Sequence, residues 1–159
     1  MSVKLGKLKA LLLPADVMIV IYDKISKRAD EVTAALVLYE VGKEMGARIA
    51  RNAFEKVMEP KEAFSKIPEL LRWIGLEGIV KDSKVYMPSA LGIATEDEEG
   101  VCHFERGLIA GFMSGLTRAP WEAVAEIGDE GCVIKPRVGG VKIEEVEELD
   151  ERVRSRLQG

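Results

Sequence analysis

Residues 101–117 read VCHFERGLIAGFMSGLT, and this stretch decides how we expect the chain to fold. Three glycines recur in it at four-residue spacing: Gly107, Gly111 and Gly115. A helix would align them on one face, although each glycine costs a helix interior about 0.5–1 kcal/mol relative to alanine. Gly42 and Gly46 repeat the spacing earlier in the chain. We expect two helices to cross here at short range, with close contact to a ligand as the alternative.

Strand-forming residues flank this helix on both sides, and they occur in pairs around tight turns. The pairs are residues 76–81 with 84–95 and residues 121–127 with 132–138. Both pairs are typical of antiparallel hairpins. Because the strands do not alternate singly with helices, the sequence predicts an α+β fold, with helices packed on one side of an antiparallel sheet.

The remaining segments are mainly helical in pattern. Residues 3–13 are predicted to form a strand or extended arm, and a helix is expected to begin near Pro14 and Asp16. The strongest helical pattern covers 30–58. A further helix is predicted over 61–74, bent or split by Pro68. We therefore predict a domain over 1–140, followed by a charged C-terminal helix over 141–159.

Composition limits the classes of protein to consider. The 159 residues are 47% hydrophobic, enough for a core, and the net charge of −4 argues against a nucleic-acid-binding protein. No apolar stretch approaches the roughly 20 residues that span a bilayer, and the short apolar run near the start does not resemble a signal peptide. We expect a soluble, cytoplasmic protein without membrane insertion. A single Asn and a single Gln, beside abundant Glu and Lys, are typical of proteins that work at high temperature.

No catalytic motif is present. The sequence has no phosphate-binding loop, no dinucleotide-binding glycine pattern and no nucleophile elbow. His103 is the only histidine. The sequence therefore does not indicate an enzyme.

Cys102 and Cys132 allow three interpretations. With Glu126, Asp129 or His103 they could provide ligands for zinc, which takes about four. They could also be buried thiols, or they could form a disulfide of the kind found in hyperthermophile cytosols. We expect the two residues to lie close together.

Large aromatic residues supply most of the predicted core, and some could line an apolar pocket. These residues are Phe54, Trp73, Tyr86, Phe104, Phe112 and Trp121.

The stretch Val101–Gly111 resembles the hallmark of the 4-vinyl reductase domain family, in which a Cys-His-Phe start leads into a helix with glycines four apart. Leu38–Gly46 is similar to a second element of that family, and Ala125–Cys132 resembles its closing strand, turn and cysteine. The resemblance covers roughly residues 10–138.

This resemblance implies a fold shared with the TRAPP vesicle-tethering subunits, a homodimer that associates through helices, and a role in sensing small molecules such as aromatic hydrocarbons. Our leading hypothesis is a stand-alone domain that holds an apolar or aromatic molecule between its helices and sheet. A dimeric TRAPP-like scaffold is the alternative, and an accessory enzyme of tetrapyrrole metabolism is the third. The candidate ligand-binding residues are Phe54, Trp73, Tyr86, Phe104, Leu108, Gly111 and Phe112.

The resemblance also bears on zinc. Some family members bind it through a cysteine matching Cys102, a glutamate, a cysteine three residues later and a final cysteine matching Cys132. Glu126 matches the glutamate here, but Asp129 stands where the middle cysteine would be. A shifted alignment would match Asp129 to the glutamate and Cys132 to the middle cysteine. The implied zinc ligands are Cys102, Glu126 and Cys132, with one thiolate missing in either alignment.

Overall fold

The protein is described from a computed structural model, which covers residues 2–5, 8–11, 13–14, 16–88, 102–129 and 131–139. Within these residues the predicted α+β class is confirmed, because helices pack on an antiparallel sheet of four strands. The predicted C-terminal helix over 141–159 lies outside the described residues, and so does the part of the predicted strand 84–95 beyond residue 88.

The described helices are α1 Val17–Arg28, α2 Glu31–Ala53, α3 Pro60–Ile74 and α4 His103–Thr117. Asp30 caps α2, since its Oδ1 accepts a hydrogen bond of 2.7 Å from the Thr33 amide. α2 ends at Ala53 rather than at residue 58, because Phe54 adopts an extended conformation and turns its ring onto Trp73. None of the helices in the described ranges is both long and apolar enough to cross a lipid bilayer.

Pro68 does not interrupt α3. Pro68 was expected to bend or split this helix, but α3 runs without a break from Pro60 to Ile74. It stops at Gly75, which has a φ of 76° and so adopts the left-handed conformation that commonly ends helices.

The strands among the described residues are β1 Ser2–Leu5, β2 Leu8–Leu11, β3 Ile79–Lys81, β4 Lys84–Met87, β5 Trp121–Gly128 and β6 Gly131–Val138. The segment predicted as one strand or arm over 3–13 is instead a small hairpin of β1 and β2. Both predicted hairpins are present, and β4 joins them by pairing with β6, so the sheet order is β3-β4-β6-β5.

The sheet has one buried face and one exposed face. Val85 and Ile134 lie on the buried face with 0% exposure, and helices α3 and α4 pack against this side of the sheet. Tyr86 and Val124 point the other way and are 36% and 43% exposed. The predicted arrangement of helices on one side of the sheet is therefore confirmed for the described residues.

α2 and α4 cross at very short range through their glycines. A Cβ atom at Gly42 would overlap the carbonyl oxygen of Phe104, and one at Gly111 would overlap the carbonyl oxygen of Lys43. The two glycine faces are therefore packed against each other within one chain, which confirms the helix-packing interpretation. Gly42 and Gly46 are consequently not available to bring α2 close to a second copy.

Candidate ligand groove

A groove of about 760 Å³ runs between the first half of α3 and one end of the sheet. This volume is within the range of about 300–1,000 Å³ that is usual for small-molecule sites. The groove is lined by Pro60, Lys61, Phe64, Ser65, Pro68, Val80, Lys81, Asp82, Ser83, Trp121, Pro136, Arg137 and Val138.

The spacing of the lining residues explains how the groove forms. Pro60, Phe64 and Pro68 are four residues apart in α3 and therefore lie along one helix face. On the sheet side, Trp121 of β5 pairs directly with Val138 of β6, so both side chains belong to the same face. One stripe of a helix thus faces one end of the buried side of the sheet.

Two aromatic rings form a fixed corner of the groove. The rings of Phe64 and Trp121 meet edge to face, with centroids 6.4 Å apart and planes at 68°. Trp121 is only 5% exposed, and its indole Nε1–H donates to Thr117 Oγ1 at 2.9 Å. This hydrogen bond holds the indole in place, so the position of the corner is fixed.

Polar groups lie among the apolar lining. Lys61, Lys81 and Arg137 contribute cationic residues and Asp82 an acidic one, while Ser65 contributes a hydroxyl that already donates to the Glu62 carbonyl. With Ser83, six of the thirteen lining residues are polar or charged, so the groove combines the apolar Phe64–Trp121 corner with charged and hydroxyl-bearing side chains.

The seven residues predicted to bind a ligand do not line this groove. Phe54 packs against Trp73 at 5.8 Å and against Phe112 at 6.3 Å between centroids, so these three form a hydrophobic cluster. Phe104, Leu108 and Gly111 belong to the contact between α2 and α4, where they are buried. Tyr86 lies on the opposite, exposed face of the sheet.

The two cysteines lie together, as expected. Cys102 and Cys132 form a disulfide, with a distance of 6.5 Å between their Cα atoms. Both residues are buried, at 1% and 4% exposure. The disulfide links Cys102, the residue before α4, to Cys132 in β6, and it therefore holds the start of α4 against the sheet.

Glu126 is not brought to the two cysteines. Ile127 pairs with Cys132 in the register of β5 and β6, so Glu126, its neighbour, points to the other face of the sheet. There its carboxylate forms an ion pair of 2.7 Å with Lys135, which lowers the pKa of the Glu126 carboxyl group. Across the described parts of the chain, no three His, Cys, Asp or Glu residues come together as a metal site.

A second group of polar residues, partly buried, lies where α2, α4 and β5 meet. The Tyr39 hydroxyl donates to one carboxylate oxygen of Glu122, and Lys43 forms an ion pair with the other. The Ala123 amide donates to the Tyr39 hydroxyl at 3.3 Å. Burial and the Glu122 carboxylate raise the pKa of Tyr39 above its usual value, so its phenol stays neutral.

Arg106 and His103 extend this cluster along α4. The Arg106 guanidinium lies over the Tyr39 ring, 4.1 Å from its centroid, and donates to the Ala123 carbonyl at 3.2 Å. Arg106 also contacts His103 Nδ1, at 3.2 Å from Nη2. Burial, together with the Arg106 charge, lowers the pKa of His103 to about 4, so its ring is neutral at pH 7. We interpret the cluster as a polar link that holds two helices to the edge of the sheet.

Most of the groove residues were missed by the sequence analysis. Of the aromatic residues considered, Trp121 lies in the groove, and Phe64 was not among them. The available signal was the four-residue spacing of Pro60, Phe64 and Pro68 in α3. That spacing cannot show that the end of β6 lies opposite, since this depends on how α3 packs against the sheet.

No model of a known protein family matches the chain, and no curated protein matches it in a sequence search. Family membership therefore stays a prediction from the residues quoted above.

Proposed function

We propose that this domain binds a small apolar or aromatic molecule in the groove between α3 and the sheet. The observation that carries the proposal is the groove itself, a volume of about 760 Å³ beside a fixed Phe64–Trp121 corner. The resemblance to small-molecule-sensing domains of the 4-vinyl reductase family supports the same class of function.

The packing of the rest of the domain also favours this location. The α2–α4 contact is closed by glycines whose neighbours leave no room even for a methyl group. Phe112, Leu108 and Ile134 are at most 1% exposed. An apolar guest would therefore find space beside α3 without displacing core side chains.

Titration with 2-naphthol tests the proposal, since this probe is apolar, aromatic and nearly flat. Isothermal titration calorimetry should give a dissociation constant on the order of 1–100 μM, as expected for so few heavy atoms. In a Trp73→Phe variant, Trp121 is the only tryptophan, so its single indole N–H signal in an NMR spectrum reports occupation of the groove.

Two matched variants locate the binding. Ser65 lines the groove on the exposed side of α3, whereas Arg72 is exposed on the same helix and does not line it. Ser65→Phe should fill the groove and weaken binding at least about tenfold, and Arg72→Phe should leave binding unchanged. Absence of binding up to the solubility limit of the probe, or equal binding by both variants, would contradict the proposal.

A further inference from the structure

The described residues cover only the first half of the sheet edge at β5. In an antiparallel pair, alternate residues direct their N–H and C=O groups away from the partner strand. Trp121 and Ala123 are such residues in β5, since their amides donate to the hydroxyls of Ser114 at 2.9 Å and Tyr39 at 3.3 Å. Arg106 covers the Ala123 carbonyl at 3.2 Å.

Among the residues that the structure describes, nothing pairs with the second half of the edge. Ala125 and Ile127 follow Ala123 at two-residue intervals, so their N–H and C=O groups also point away from β6. No hydrogen bond to these outward groups is found among the residues that the structure describes. Val124 and Ile127 add exposed apolar side chains, at 43% and 48% exposure. Proteins usually cover, twist or charge such an edge, because it can pair with another strand.

From this edge we infer that β5 pairs with β5 of a second copy, antiparallel, about a two-fold axis at Glu126. In this register Ala125 of one copy lies opposite Ile127 of the other, and the two pairs exchange about four backbone hydrogen bonds. The register is self-complementary, as a two-fold interface requires. A register shifted towards Ala123 is excluded, because Tyr39 and Arg106 already occupy the outward groups of that residue.

The two Glu126 side chains at the axis allow this pairing but lower the affinity of the dimer. The two Glu126 side chains would face each other, and like charges directly opposite are unfavourable. Each Glu126 has its own Lys135 at 2.7 Å, so charges of opposite sign alternate around the axis. With few hydrogen bonds and a small contact area, we expect a dimer dissociation constant on the order of 10–100 μM.

Sedimentation equilibrium of the full chain and its variants tests the interface. Ala125→Pro removes an N–H that points away from β6 and leaves the hydrogen bonds between β5 and β6 intact. Pro136, opposite Ala123, shows that this hairpin tolerates a proline at such a position. The variant should therefore fold but dimerise at least about tenfold more weakly. Ile127→Lys, at an exposed position, provides a second disruption that does not depend on proline. Ala125→Val keeps the N–H and should dimerise like the unmodified chain.

Glu126→Gln gives a result that only this register predicts. It removes the facing like charges and should tighten the dimer about two- to fivefold. A chain that stays monomeric at about 1 mM would overturn the inference, since even weak interfaces associate at that concentration. A dimer that survives both Ala125→Pro and Ile127→Lys but is lost in Met45→Glu would overturn it as well, because the copies would then meet through α2.

Discussion

Gly111 of α4 lies directly against the backbone carbonyl of Lys43 in α2, so closely that a single added methyl group would overlap it. This contact is the centre of the glycine crossing, around which the helices and then the sheet are arranged. Because the neighbouring atoms belong to a helix backbone, they cannot move aside as a flexible side chain could.

Gly111→Leu should therefore destabilise the protein severely. Overpacking typically costs about 1–3 kcal/mol, and we expect a loss at the upper end of this range or above it because backbone must move. Ile109→Leu, at a buried neighbouring position, should cost less than about 1.5 kcal/mol. Chemical denaturation followed by circular dichroism compares the two. Equal stabilities would show that the crossing is not the critical contact.

The disulfide gives a second prediction. Cys102 and Cys132 are 30 residues apart in sequence, and closing a loop of that length stabilises a protein by about 3–4 kcal/mol. The double variant Cys102→Ala, Cys132→Ala should lose about that much free energy of unfolding, and a thiol count of the denatured, unreduced wild type should find no free thiol. Two free thiols, together with bound zinc on elemental analysis, would instead favour the metal interpretation.

The sequence predicted the elements of the fold well and their ends less well. The hairpins around Asp82-Ser83 and after Gly128 were predictable because turn residues and strand-forming residues coincide there. The α2–α4 crossing was predictable because glycines at helical spacing form a flat stripe on which a second helix backbone can pack closely. The end of α2 was not, since Phe54 leaves the helix to reach Trp73 and Phe112, which are distant in sequence.

The residues of the candidate site could be predicted from the sequence less well than the fold. Tyr39 and Glu122 are 83 positions apart, and nothing local marks them as partners. Cys102 and Cys132 were expected to be close, but the sequence could not decide between metal, thiols and a disulfide. A groove between α3 and β6 depends on packing at a distance, so aromatic content alone pointed to residues that the structure places in the core.

The buried hydroxyl of Tyr39 gives a third prediction. Tyr39→Phe removes the acceptor of the Ala123 amide and a donor to Glu122, leaving both groups partly buried without that bond. We expect a loss of about 1–3 kcal/mol in the free energy of unfolding. Tyr86→Phe is the matched control, because Tyr86 lies on the exposed face of the sheet, and it should cost almost nothing. A similar effect of both changes would mean that the polar cluster does not stabilise the fold.

His103 gives a prediction about pH. Its pKa is about 4 in the folded state and about 6.5 when unfolded, so the unfolded chain binds more protons between these values. The stabilisation from keeping this ring neutral is complete above about pH 6.5 and is lost as pH falls towards 4.

The effect should reach about 2–3 kcal/mol near pH 4. His103 is the only histidine, so its ring protons can be followed by NMR without ambiguity. A His103→Gln variant should show a weaker dependence of stability on pH over this interval. An NMR titration midpoint near 6.5 in the folded protein would contradict the prediction.

A two-dimensional ¹H–¹⁵N NMR spectrum recorded during a 2-naphthol titration shows whether the groove between α3 and the sheet binds the probe. Trp121 and Trp73 each provide an indole N–H signal, and only Trp121 lines the groove. We predict that the Trp121 indole and the amides of Phe64 and Ser65 shift together with one dissociation constant. Shifts confined to Trp73, Phe54 and Phe112 would instead place the ligand in the aromatic cluster and rule out the groove as its site.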